Sequence, residues 1–192
     1  MAMAEARRVM ETNFFGPARI MKAAIPLFRA QGSGTFINIS STEGTSAVPG
    51  LSMSAASKFA LEAVSESMFS ELAAFGIRTL IVEPGGMRTN FLDSGSTHLA
   101  PMSEPFKGGV VEHVQNAVLA QHGKQMLNPD RSAKRIVEAV DGTGKGWPEK
   151  REQYLRLPLG KQAIGRMRGK IDNLQKDMEA VKEIWGSVDF DA

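Results

Sequence analysis

The chain has no cysteine and a single tyrosine, Tyr154, among its 192 residues. Without cysteine it forms neither disulfides nor thiolate metal sites, which excludes the disulfide-stapled and zinc-ribbon classes and fits a cytoplasmic location. Its three histidines, His98, His113 and His122, show no ligand spacing, so no metal site is expected. No apolar run reaches the roughly 20 residues of a membrane span. The opening residues, Met1-Ala2-Met3-Ala4-Glu5-Ala6-Arg7-Arg8, contain no apolar signal core, so no membrane role is expected. A net charge of +2 is too small to argue for nucleic acid. The basic residues over 145–182 are interleaved with Glu and Asp, as on a solvated face. Glycines at Gly108-Gly109 and Gly142-Thr143-Gly144 neither follow a buried strand nor open a helix, so they are turns rather than phosphate-binding loops.

What is present is an ordinary globular composition, 42% hydrophobic and 23% charged, long enough for one domain with a sizeable core. Met10, Phe14, Met21, Ala24 and Phe28 recur at helical spacing and predict a first helix over 4–29. Pro17 lies inside it and cannot donate to the Asn13 carbonyl, which predicts a kink and a carbonyl in need of another donor. A turn at Gln31-Gly32-Ser33-Gly34 leads into a strand over 35–41. A helix over 54–75 buries Leu61, Val64, Met68 and Leu72 and ends at Gly76. The β-branched run over 77–83 predicts a strand buried on both faces. Residues 90–126 are irregular apart from a helix over 110–121, as in a substrate wall or lid. Asn128-Pro129-Asp130 opens a helix that ends near Gly142. A third strand over 154–159 precedes a last helix over 161–185, where Ile164, Met167, Ile171, Leu174, Met178, Val181 and Trp185 keep helical spacing.

The most informative stretch is Thr35-Phe36-Ile37-Asn38-Ile39-Ser40-Ser41, followed by a Gly-, Thr- and Ser-rich loop and then Ser54-Ala55-Ala56-Ser57-Lys58. The strand delivers Ser41 to the carboxyl end of a parallel sheet, where ligands bind. Ser54 and Lys58 stand four apart on one helix face. A Ser54/Lys58 nucleophile pair is the hydrolase alternative, but no nucleophile elbow accompanies it.

These motifs resemble the short-chain dehydrogenase/reductase family, with a strand-end Ser followed by Tyr-x-x-x-Lys. Pro84-Gly85-Gly86-Met87-Arg88-Thr89 and Leu155-Arg156-Leu157-Pro158-Leu159-Gly160 extend the likeness. The resemblance implies an α/β fold, here the C-terminal half of a Rossmann-like doubly wound parallel sheet with about three strands. It implies an NAD(P)-linked oxidoreductase that interconverts alcohols and ketones. Its catalytic set would be Ser41, Lys58 and Asn13, the last holding a water through its carbonyl, with Ser54 where the family keeps tyrosine. Lys58, Pro84, Gly85, Met87 and Thr89 would contact the nicotinamide end of NAD or NADP, with NADP favoured. The family's opening strand, Gly-rich turn and Asn-Asn-Ala-Gly strand end have no counterpart, which marks a truncated member with weak cofactor binding. The implied partners are a small alcohol or ketone, lipophilic if the 90–126 loop is a guide, and further subunits docked on helices 4–29 and 54–75. The alternatives are a non-catalytic relative acting through subunit pairing and an inactive truncated product.

Overall fold

A computed structural model describes residues 2–93, 102–144, 148–149 and 151–189. Three parallel strands form one sheet in the order β1 (Gly34–Ile39), β2 (Ile77–Pro84), β3 (Arg156–Leu159), so the expected fold class is observed. The register sets Ile37 beside Leu80 and Ile39 beside Val82, then Val82 beside Leu157.

Strand alternation divides the core into two layers. Phe36 and Ile77 meet Met21 of α2 (Gly16–Gln31) and Leu61, Met68 and Leu72 at and beyond α3 (Ser52–Glu71). Leu80, Val82 and Leu157 instead meet Ala139 and Ile136 of α5 (Pro129–Asp141). Strand β2 is therefore covered on both sides, and each of its fully buried aliphatic side chains contributes about 1.5–3 kcal/mol. Strand β1 is an edge, with Ile37 39% and Ile39 48% exposed.

Helix boundaries follow the expected chemistry. Asn128 caps α5 through a 2.9 Å bond from the Arg131 N–H to its side-chain oxygen. Gly32, Gly76 and Gly142 close their elements in the left-handed conformation. Helix α4 runs over Val110–Leu119.

Two expectations are refined. At Pro17 the departure from regular helix takes the form of a π-helical turn: α1 (Met3–Met10) passes into it over Glu11–Phe15 and continues as α2. The extra residue per turn lets the chain re-pair on the N-terminal side of the proline. The last helix is α6 (Lys161–Ala180), interrupted at Val181 before the short α7 (Lys182–Trp185). Residues 94–101, with His98 and part of the expected substrate loop, lie outside the described residues.

Candidate active site

Ser41 lies two residues past the end of β1. Its hydroxyl oxygen accepts the Glu43 N–H at 3.2 Å and so caps the 3₁₀ turn Thr42–Gly44. Lys58 lies in the second turn of α3, whose N-terminal half runs along this strand end. Its ammonium donates to the Ile39 carbonyl at 2.8 Å, two residues before Ser41. Ser41 and Lys58 are thus brought to the same end of the same strand. Burial lowers the Lys58 pKa below its ordinary value, and the charges of Glu43 and Glu62 offset only part of that shift.

Asn13 reaches the same region from the π-helical turn. Its amide N–H donates to the Ser57 hydroxyl at 3.1 Å, and that hydroxyl donates to the Ser54 carbonyl at 2.7 Å. Asn13 and Lys58 both line a groove of about 400 Å³ that also borders Pro17, Ile20, Ile37 and Ile39 along the β1 edge.

The loop after β2 is pinned from the neighbouring strand and from α6. The Gly85 N–H donates to the Leu159 carbonyl at 3.0 Å, and the Gly86 N–H to Gln162 Oε1 at 2.9 Å. Met87 forms an isolated parallel bridge with Leu127. The Thr89 hydroxyl accepts the Phe91 N–H at 3.2 Å, so Thr89 caps the turn Asn90–Leu92. The loop carrying Pro84, Gly85, Met87 and Thr89 is therefore held at the carboxyl end of the sheet.

Beneath this surface lies a buried charge cluster that reading the sequence missed. Arg156 Nη1 donates to Glu62 Oε2 at 2.5 Å and to Glu83 Oε1 at 2.7 Å. The Ser40 hydroxyl donates to Glu62 Oε1 at 2.5 Å, and the Thr45 hydroxyl to Glu83 Oε1 at 3.0 Å. Burial raises the Glu83 pKa and the Glu62 charge raises it further, while Arg156 and Thr45 compensate only in part. Arg166 of α6 fastens the same loop from outside, donating to the Thr42 hydroxyl at 2.9 Å and to the Ser46 carbonyl. Two signals pointed to the cluster: Glu83 ends an apolar strand, and Glu62 lies one turn beyond Lys58. No group of three or more potential metal ligands occurs among the described residues.

Comparison with known proteins agrees with this fold. A family model described as short chain dehydrogenase matches residues 1–99. The oxidoreductase claN of Passalora fulva is 55% identical over 86 residues, which is 45% of this chain and 39% of that protein. The uncharacterized oxidoreductase YusZ of Bacillus subtilis is 31% identical over 158 residues, 81% of this chain and 53% of that protein. In structure, a short-chain dehydrogenase from Streptomyces avermitilis superposes with a TM-score of 0.84 at 33% identity, covering 98% of this chain and 65% of the other. The chain spans about half the length, or less, of these curated relatives.

Proposed function

The chain belongs to the short-chain dehydrogenase family, and from that premise we propose that it carries the substrate end of an NAD(P)-linked alcohol–ketone oxidoreductase site. The observation that supports this most is the Lys58 ammonium on the Ile39 carbonyl, next to Ser41. After that bond is made, the ammonium retains two N–H donors for ribose hydroxyls. The Pro84–Thr89 loop offers backbone and hydroxyl groups to the carboxamide end. A nicotinamide cofactor, when bound, supplies the redox equivalent. In this reading Ser41 orients the substrate oxygen, and Asn13 holds a water between its carbonyl and Lys58. Residues 90–93 and 102–126 form the wall against a lipophilic substrate. The residues fit the nicotinamide end of the cofactor. Among the described residues no Gly-rich strand-to-helix turn serves the pyrophosphate, so affinity is weak and NADP stays only the favoured choice.

Ser54 occupies the position of the proton-transferring tyrosine. A serine hydroxyl is a far weaker acid than a phenol and is shorter, so the step falls to a water held near Lys58. Losing a positioned general acid forfeits about 10²–10⁴ in rate. The test is turnover of a ketone panel with saturating NADPH or NADH by the chain and by Ser54→Tyr. The expected result is a rise of that order in the variant. Absence of turnover in both, with cofactor shown to be bound, would remove the oxidoreductase reading.

The exposed edge of β1 favours a second reading, in which the chain works as a pairing subunit. Ile37 and Ile39 face outward there, beside the 69% exposed Ile20. An unpaired apolar strand edge calls for cover. In this reading homo- or hetero-oligomers form through helices 4–29 and 54–75 and the edge is covered in the assembly.

A further inference from the structure

With serine at position 54, the site needs another group to exchange a proton with the substrate oxygen. The 3₁₀ turn Thr42–Gly44, just past β1, places Glu43 two residues beyond Ser41, whose hydroxyl oxygen accepts the Glu43 N–H at 3.2 Å. The turn is clamped from two sides. Gly44 packs so closely on α3 that an added Cβ would collide with the Glu62 carboxylate, one helical turn beyond Lys58. On the other flank, Arg166 of α6 donates to the Thr42 hydroxyl at 2.9 Å and to the Ser46 carbonyl. Glu43 is thus held between the elements that carry Lys58 and Arg166, and its charge acts on both cations.

Elimination singles out this carboxylate. Glu62 and Glu83 are 5% and 1% exposed and are held by Arg156, too enclosed to meet a substrate. Lys58 as an ammonium has donors only, and one of them is on the Ile39 carbonyl. Glu43 is half-buried, and among the described residues its side chain makes no hydrogen bond, so its lone pairs are open to a water. On the oxidoreductase reading above, we propose that the Glu43 carboxylate exchanges the proton of the alcohol–ketone step with the substrate oxygen through one water, in place of the tyrosine that Ser54 replaces.

The step balances. In oxidation the alcohol O–H bond breaks, and its proton passes by way of the water to a Glu43 carboxylate oxygen. The O–H electron pair becomes the second bond of the C=O group as hydride, with its two electrons, leaves the carbon for the oxidised nicotinamide cofactor. Reduction runs the same path backwards, with the neutral Glu43 acid as donor. Serine at position 54 is shorter than a phenol by a whole ring, which leaves room for the water. The half-exposed Glu43 side chain exchanges its proton with solvent between turnovers.

Glu43→Gln keeps the backbone bond to Ser41 and removes only the capacity to take up a proton. With saturating cofactor and an alcohol panel, it should lower turnover at least about tenfold in the unmodified chain. In a Ser54→Tyr background, where a phenol carries the proton, the same change should cost less than about threefold. Equal losses in the two backgrounds, or none in the unmodified chain, would overturn the proposal. Turnover that appears only with Ser54→Tyr would overturn it and leave the oxidoreductase reading in place, whereas no turnover in any variant, with cofactor shown to be bound, removes both. A second measurement needs no catalysis. In the cofactor-free chain, Glu43→Gln should move amine labelling of Lys58 to lower pH, because a charge that favours the ammonium is gone, while Glu66→Gln, at a solvated position, should not. Lys58 labelling left unchanged by Glu43→Gln would show that this carboxylate does not face the site, and the proposal would fall.

Discussion

Replacing Arg156 with methionine is the sharpest probe of how the site is held together. Methionine keeps most of the aliphatic length but removes the guanidinium that bridges Glu62 of α3 and Glu83 of β2. The two carboxylates are 5% and 1% exposed, so water cannot replace the lost donor. Glu83 Oε2 already lies buried without a hydrogen-bond partner. The third contact, with Glu66, is to a solvated side chain and adds little. Removing one partner of a buried ion pair costs about 3–5 kcal/mol, against a total stability of about 5–15 kcal/mol for a domain. The pH dependence has a definite sign. The folded pKa of Glu83 is raised, so the stability linked to this group is complete below its unfolded value of about 4.3 and is lost as pH rises through the folded value. Arg156→Met raises that folded value further. Its deficit in urea unfolding should therefore be largest near about pH 8 and shrink toward about pH 5. Adding Glu83→Gln should recover at least about 1 kcal/mol at the higher pH, because one of the two uncompensated carboxylates is gone. A deficit under about 1 kcal/mol at pH 8, or one that grows as pH falls, would refute the reasoning.

Three further outcomes follow from single contacts. Gly44→Ala should cost about 1–3 kcal/mol in urea unfolding, because a Cβ there collides with the Glu62 carboxylate and the Ser40 hydroxyl. Ser65→Ala removes the 2.7 Å acceptor of the buried Asn38 amide, leaving only the Met21 sulfur at 3.2 Å, and should cost about 1–3 kcal/mol. Lys58, whose pKa burial lowers, should react with an amine-directed reagent at mildly alkaline pH once cofactor-free, ahead of the solvated lysines, by mass-spectrometric footprinting. If its modification trails theirs as pH is raised, the lowered pKa is wrong.

Local patterns carried most of the architecture. The apolar run over 77–83 was readable as a doubly covered strand because Ile81 and Val82 have no polar alternation, and in the fold both are fully buried. Gly76 and Asn128 announced element boundaries by their own backbone and capping chemistry. That Ser41 and Lys58 come to the same end of β1 was legible because strand-end and helix-start positions are local properties. Thr89 was legible as a cap or a cofactor contact, and the cap is the bond it makes. The charge cluster was not legible in this way, since Arg156 finds Glu62 and Glu83 across 94 and 73 residues of chain. The proline in the first helix pointed to a kink and a displaced hydrogen bond, and the fold answers it with a π-helical turn, a local re-pairing that composition does not encode. The last helix showed the reverse: its periodicity was plain, yet helical spacing alone does not say whether a stripe meets the core of its own fold or another chain.

Calorimetric titration of NADPH and NADH into the purified chain and into Lys58→Met tests the central claim most directly. Saturable binding with a dissociation constant on the order of 1 mM is expected, weakened at least about tenfold when the ammonium at the β1 end is lost. Binding unaffected by Lys58→Met, or no saturation at several times that concentration, would contradict it.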